Sequence, residues 1–164
     1  MAFHVENLRE AAQHWADTFG AGPFFVHDEI PVSDVKGPDG QPAQYDHGVA
    51  VGQWGPVMVE LVQSYNFQPA AVSEVMTRPG FNHIAYFSKD PEAEAKRLVE
   101  AGAPIIVSMD FGGNPVYFHD GRATHGFVIE HYPYGSLVEM FYNKVAEAAE
   151  GWDGSDPVRG PLEF

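Results

Sequence analysis

Two glutamates and a histidine are the residues of this sequence best placed to do chemistry. Glu60 lies between Val59 and Leu61 in an apolar run, and its same-face neighbours on a strand, Met58 and Val62, are apolar too. Glu139 sits in similar company, with Leu137 and Phe141 on its face if the segment is extended. His83 lies in the run Phe81–Phe87, with Phe81, Ala85 and Phe87 on its face. Carboxylates in apolar surroundings are rare unless paired or bound to a metal. One imidazole and two carboxylates together suit Zn, Mn, Fe, Co or Ni by ligand type. Glu139 has a second reading. Ser136 precedes it by three residues, the register of a capping box that opens a helix.

What could bring these groups together is an internal repeat. Setting Ala85 on Ala2 brings Asp90 onto Asn7 and Ala95 onto Ala12. Gly102-Ala103-Pro104 then echoes Gly20-Ala21-Gly22-Pro23, His125–Ile129 echoes His47–Val51, and Leu137–Met140 echoes Met58–Leu61. A repeat this long is one supersecondary unit used twice. In this alignment Glu139 matches Glu60, while Glu130 falls opposite Gly52 and reads as a rim residue.

Each unit starts with a strand leading into a helix. Asn7 and Asp90 stand at N-cap positions, with Pro91 at a first helical position, and Gly20 and Gly102 stop the two helices. Strand-like runs follow, at Pro23–Val32, His47–Val51 and Pro56–Gln63, and at Ile105–Met109, Val116–His119, Gly126–Tyr132 and Ser136–Tyr142. Ser33–Gln44, with Gly37-Pro38-Asp39-Gly40, reads as a loop. The pattern predicts an α+β fold, a curled mixed sheet around a cavity with a short C-terminal helix. The division predicted is a first unit over residues 1–66, a connecting arm over 67–79, a second unit over 80–142, and a helix and tail over 143–164.

The totals exclude several partners. Nine Lys and Arg against 23 Asp and Glu leave a net charge of −14, which repels phosphate backbones and anionic lipid, so neither nucleic acid nor membrane is expected. The absence of cysteine removes disulfides and thiolate metal sites. The start of the sequence has no basic segment followed by an apolar one, so no secretory signal is read and a cytoplasmic location is expected.

Several segments resemble the vicinal oxygen chelate superfamily, which includes glyoxalase I, methylmalonyl-CoA epimerase, bleomycin-resistance proteins and extradiol dioxygenases. They are Asn7-Leu8-Arg9-Glu10-Ala11 with Trp15, Gly20–Phe25, Gly55–Leu61, Gly80–Ala85 and Gly135–Met140. The resemblance looks closest to the glyoxalase-like branch near the epimerases. It implies two βαβββ modules whose sheets curl around a metal-containing cavity. It also implies metal ligands on the first and last strands of each module, here Glu60, His83 and Glu139. The ligand expected from the first strand falls one residue before Met1. His4 points to the same strand face, but four residues of strand span roughly 13 Å, so it substitutes only if the strand shifts or bends.

The reading that follows is a divalent-metal-dependent isomerase, epimerase or lyase, and dimerisation is expected from the resemblance alone. Its substrate would be a small molecule with a carbonyl or thioester and an apolar or aromatic part. A metal polarises the carbonyl and a carboxylate removes the adjacent proton. Glu60 and Glu139 are ligands first, one of which can serve as base, and Asp46 is a second candidate base. The alternative is a metal-free binding protein of the bleomycin-resistance type, and an extradiol-type dioxygenase is a more distant third.

Overall fold

β1 (Ala2–His4) runs almost directly into α1 (Leu8–Phe19), and the residue that sets the junction is Asn7. Its side-chain oxygen accepts from the backbone N–H groups of Arg9 and Glu10, at 3.0 and 3.2 Å. Those donors have no partner inside the helix itself. Gly20 ends α1 in the left-handed conformation, at φ 64°. The buried face of α1, Leu8 and Ala12, packs on Phe24, Val59 and Leu61. The computed structural model describes residues 1–163, apart from the side chains of Ala71 and Val72.

Next come β2 (Phe24–His27), β3 (Ser33–Lys36), β4 (Gln44–Trp54), β5 (Val57–Gln68) and α2 (Ala70–Thr77). The second half supplies β6 (Gly80–Ser88), α3 (Pro91–Glu100), β7 (Ile105–Phe111) and β8 (Asn114–Asp120). It continues with α4 (Arg122–His125), β9 (Val128–Pro133), α5 (Leu137–Ala149) and β10 (Val158–Arg159). Asp90 caps α3 by accepting from the N–H of Ala93 at 3.0 Å, with Pro91 in its first turn.

The strands form one curled, unclosed mixed sheet in the order β10-β2-β4-β5-β1-β6-β9-β8-β7-β3. The duplication is explicit in its pairing. In the first module β1 runs parallel to β5, which pairs antiparallel with β4, and β4 with β2. In the second module β6 runs parallel to β9, which pairs antiparallel with β8, and β8 with β7. The modules meet edge to edge where β1 lies antiparallel to β6. This is the α+β architecture of two βαβββ modules that the sequence predicts.

Two segments depart from the predicted elements. Ser33–Lys36, expected in a loop, forms an edge strand that leaves its own module and pairs with β7 of the other. Ser136–Tyr142, expected as the closing strand of the second module, is the start of a 13-residue helix. Here local chemistry overrides the repeat. Ser136 Oγ accepts from the N–H of Glu139 at 3.4 Å, and the Glu139 carboxylate accepts from the N–H of Gly135 at 2.5 Å. Val138, Phe141 and Val145 recur at helical spacing and are buried. Phe141 and Val145 pack on Ala2, Phe25, Val49, Val51 and Val62. The helix α5 therefore roofs the concave face of the sheet. Ser136→Ala removes the cap and is expected to cost about 1 kcal/mol. Thermal denaturation should show a midpoint lowered by roughly 2–4 °C; an unchanged midpoint contradicts the cap's role.

Candidate functional site

Strand pairing determines which side chains reach the concave face. Ala2 of β1 lies beside Glu60 of β5 on one side and His83 of β6 on the other. In the second module Ala85 of β6 lies beside Glu130 of β9. Since Ala2 and Ala85 are repeat equivalents, Glu60 and Glu130 are equivalent as well. Paired residues point to the same face, so all three functional groups turn into one cavity.

His83 Nε2 lies 3.5 Å from Glu60 Oε2 and 3.1 Å from Glu130 Oε2. One ligand atom from each of the three residues lies within 4.8 Å of the other two. His83 is 2% exposed and Glu130 7%, whereas the Glu60 side chain is 18% exposed. The imidazole is aimed by its neighbour. The register shifts between β1 and β6 at this point, and Asn82 Oδ1 lies 3.0 Å from His83 Nδ1. Asn82 Nδ2 in turn donates to the Val75 carbonyl at 2.7 Å. That bond makes Oδ1 the acceptor, so Nδ1 carries a hydrogen and Nε2 faces the carboxylates.

The electrostatics are those of one imidazole shared by two acids. Burial opposes a charged His83, but Glu130 and Glu60 outweigh it and hold its pKa up at about 9. Burial pushes the Glu60 carboxyl up, and the His83 imidazolium beside it brings it below the ordinary carboxylate value. Burial prevails at Glu130, which lies above that value despite His83. His83 Nε2 and Glu130 Oε2 are buried atoms with no hydrogen bond of acceptable geometry. A deprotonated Nε2 facing two carboxylates would present three lone-pair donors to one point, an arrangement that either the proton on Nε2 or a metal cation resolves. The oxygen–nitrogen–oxygen donor set fits a divalent ion of the Zn, Mn, Fe, Co or Ni type.

The structure brings together Glu60 and His83 of the predicted set, and it separates the others. Glu139 occupies the first turn of α5, where it serves the helix end and lies outside the cluster. Its place is taken by Glu130, which the sequence alignment had set opposite Gly52. The signal was present in Val128-Ile129-Glu130-His131-Tyr132, a carboxylate inside an apolar strand like Glu60. His4 does face the concave side, next to Val62, but it stands two residues beyond Ala2 and outside the cluster. Burial, with His83 nearby, lowers the pKa of His4 to about 4, and its Nδ1 lies 3.4 Å from Ser64 Oγ. Asp46 is exposed and accepts from Gln44 Nε2 and Asn66 Nδ2, at 2.7 and 3.3 Å. Strand alternation along β4 turns Tyr45, His47 and Val49, not Asp46, toward the cavity.

The cavity between sheet and α5 has a volume of about 80 Å³. Glu60, His83 and Glu130 form its polar end, and valines with Met109, Phe118 and Phe141 line much of the rest. Among the described residues no helix is long and apolar enough to cross a membrane.

The glyoxalase/bleomycin resistance protein/dioxygenase superfamily profile matches residues 1–118. No curated protein sequence matches the chain. Among solved structures it is similar to methylmalonyl-CoA epimerase from Mycobacterium tuberculosis, at 16% identity and a TM-score of 0.53, over 85% of this chain and 88% of that one. It is also similar to a hypothetical protein from Bacillus halodurans, at 16% identity and a TM-score of 0.54, over 83% and 92% of the two chains. At such identities the likeness concerns the fold, which agrees with the profile over most of the chain. On that agreement, the chain belongs to the glyoxalase/bleomycin resistance protein/dioxygenase superfamily.

Proposed function

We propose that this chain is a divalent-metal-dependent enzyme of the isomerase, epimerase or lyase type, which removes a proton next to a carbonyl or thioester. The observation that carries the proposal is the convergence of Glu60, His83 and Glu130 at the largely buried polar end of a mostly apolar cavity. In this reading the three are the metal ligands. A divalent ion held there would supply a Lewis acid worth on the order of several kcal/mol to a developing enolate.

The chain's own groups would handle the proton. Glu60 is the more open of the two carboxylates, and its low pKa keeps it ionised at neutral pH. As a ligand that can let go of the cation, it would take the proton from the carbon beside the carbonyl, and the C–H electron pair would move onto the carbonyl oxygen. Return of that proton by Glu60 to a neighbouring atom gives isomerisation, whereas epimerisation requires a second acid on the opposite face of that carbon. The apolar wall keeps bulk water from quenching the intermediate. A homodimer working in the cytoplasm belongs to the same proposal, and light scattering tests the dimer.

Elemental analysis of protein purified without chelator should find about one transition metal per chain. Candidate carbonyl substrates should exchange their adjacent hydrogens in deuterated water. Wild-type protein without metal, or a His83→Ala variant that keeps its metal, overturns the proposal. Asn82→Ala should weaken metal binding about tenfold, since it frees the imidazole that Asn82 orients. Titration against a chelating dye measures this, and unchanged affinity would remove Asn82 from the site.

A further inference from the structure

The group Glu60–His83 is reached from two sides. Besides the inner cavity under α5, an outer groove is lined by Pro56, Val57, Met58, Ile84 and Phe87. The wall common to both holds Glu60, His83, Tyr132 and Tyr142. Tyr132 comes from β9 and Tyr142 from α5, and their hydroxyl oxygens lie 3.1 Å apart. Two hydroxyls carry two hydrogens, and the bond between them uses one. The second hydrogen is left for another acceptor.

Each side of this wall has its own character. The inner cavity, at about 80 Å³, is smaller than the roughly 150 Å³ apolar cavity that takes benzene. It suits a short alkyl end. The outer groove is roomier, at about 330 Å³, and mostly apolar too. Among the described residues neither space is lined by a lysine or an arginine. The amino group of Met1, at the groove, donates to the Met58 carbonyl at 2.8 Å. Elsewhere Arg9, Lys36, Arg97, Arg122 and Arg159 are paired with carboxylates. A phosphate-bearing body leaving the groove would meet a chain of net charge −14.

We propose that the site takes an uncharged, largely apolar molecule with a short alkyl end in the inner cavity and an apolar body in the outer groove, its oxygenated middle hydrogen-bonded by the Tyr132–Tyr142 pair. This rests on reading the Glu60–His83–Glu130 cavity as the working site, and it narrows the carbonyl-or-thioester class by excluding a polyanionic handle. It does not depend on which proton the enzyme moves.

The test is an NMR titration with two probes that share a short alkyl end next to a carbonyl. One is 3-hydroxyoctan-2-one, and the other is propionyl-CoA. The hydroxyketone should saturate shifts of Val51, Val62 and Tyr142, and propionyl-CoA should leave them in place at equal concentration. Tyr142→Phe and Tyr132→Phe should each weaken the hydroxyketone about five- to tenfold, the loss of one hydrogen bond. Tyr134→Phe, at an exposed ring, is the control and should change nothing. Tighter binding of propionyl-CoA overturns the proposal, as does no binding of the hydroxyketone or an affinity insensitive to both tyrosine variants. Repeating the titration after chelation separates this proposal from the enzyme reading. Tyrosine-dependent binding by a protein that carries no metal as purified would sink the enzyme and leave the ligand class standing.

Discussion

Glu130→Gln should abolish stoichiometric metal binding, with affinity falling more than about a hundredfold, while Glu139→Gln should leave metal content unchanged. The amide keeps the shape of the side chain and removes its charge, so the cavity has little reason to collapse. What changes is the cluster. Glu130 Oε2 lies 3.1 Å from His83 Nε2 and is buried without a hydrogen bond. An uncharged amide there leaves Glu60 as the only acid to neutralise a divalent ion. Glu139 lies on the first turn of α5, bonded to the Gly135 N–H. Its loss should cost helix stability by a fraction of the N-cap's worth and nothing in metal. Elemental analysis of both variants decides it. Metal retained by Glu130→Gln and lost by Glu139→Gln would reverse the assignment and put the site at the first turn of α5.

This contrast also shows where the sequence misleads. Both helix starts, Asn7 and Asp90, are legible because capping is local chemistry. The duplication is legible because Ala2 and Ala85 do occupy equivalent places, each beside a site glutamate. The error enters through the connection lengths. In the first module β4 turns into β5 over Gly55 and Pro56 alone. The equivalent turn of the second module is Gly121–Phe127, with α4 inside it. A pattern that seeks His-Gly, a short turn and Val-Glu in the same order slides past this insertion. It then lands on Pro133-Tyr134-Gly135 and Glu139, one element too late. The sheet register corrects it, with Val51 opposite Glu60 and Phe118 opposite Glu130. The capping box at Ser136 was visible throughout, and for that segment it was the better guide. The edge strand Ser33–Lys36 was not visible, since its partner lies in the other module and its own residues carry turn chemistry.

Metal uptake should release close to one proton per ion and tighten about tenfold for each pH unit from roughly 6.5 to 8.5, then level off near pH 9. The cause is competition at one atom. In the free protein His83 holds its proton up to about pH 9, because Glu130 and Glu60 favour the imidazolium more than burial opposes it. A cation must displace that proton from Nε2, so every unit below 9 costs a factor of about ten. The same shift fixes the sign of the stability profile without metal. The folded-state pKa lies above the ordinary histidine value of about 6.5, so the folded protein binds more protons between the two. The contribution of His83 to stability is therefore complete below about pH 6.5 and is lost as pH rises through 9. With metal bound the profile inverts, since the ion replaces the proton and binds more tightly as pH rises. Calorimetry in buffers of different ionisation enthalpy counts the released protons, and denaturant midpoints across the same range follow the stability. A pH-independent affinity, or uptake without proton release, would mean that the cation does not sit at His83 Nε2. The Glu60–His83–Glu130 cluster would then be a buried ion network and not a metal centre.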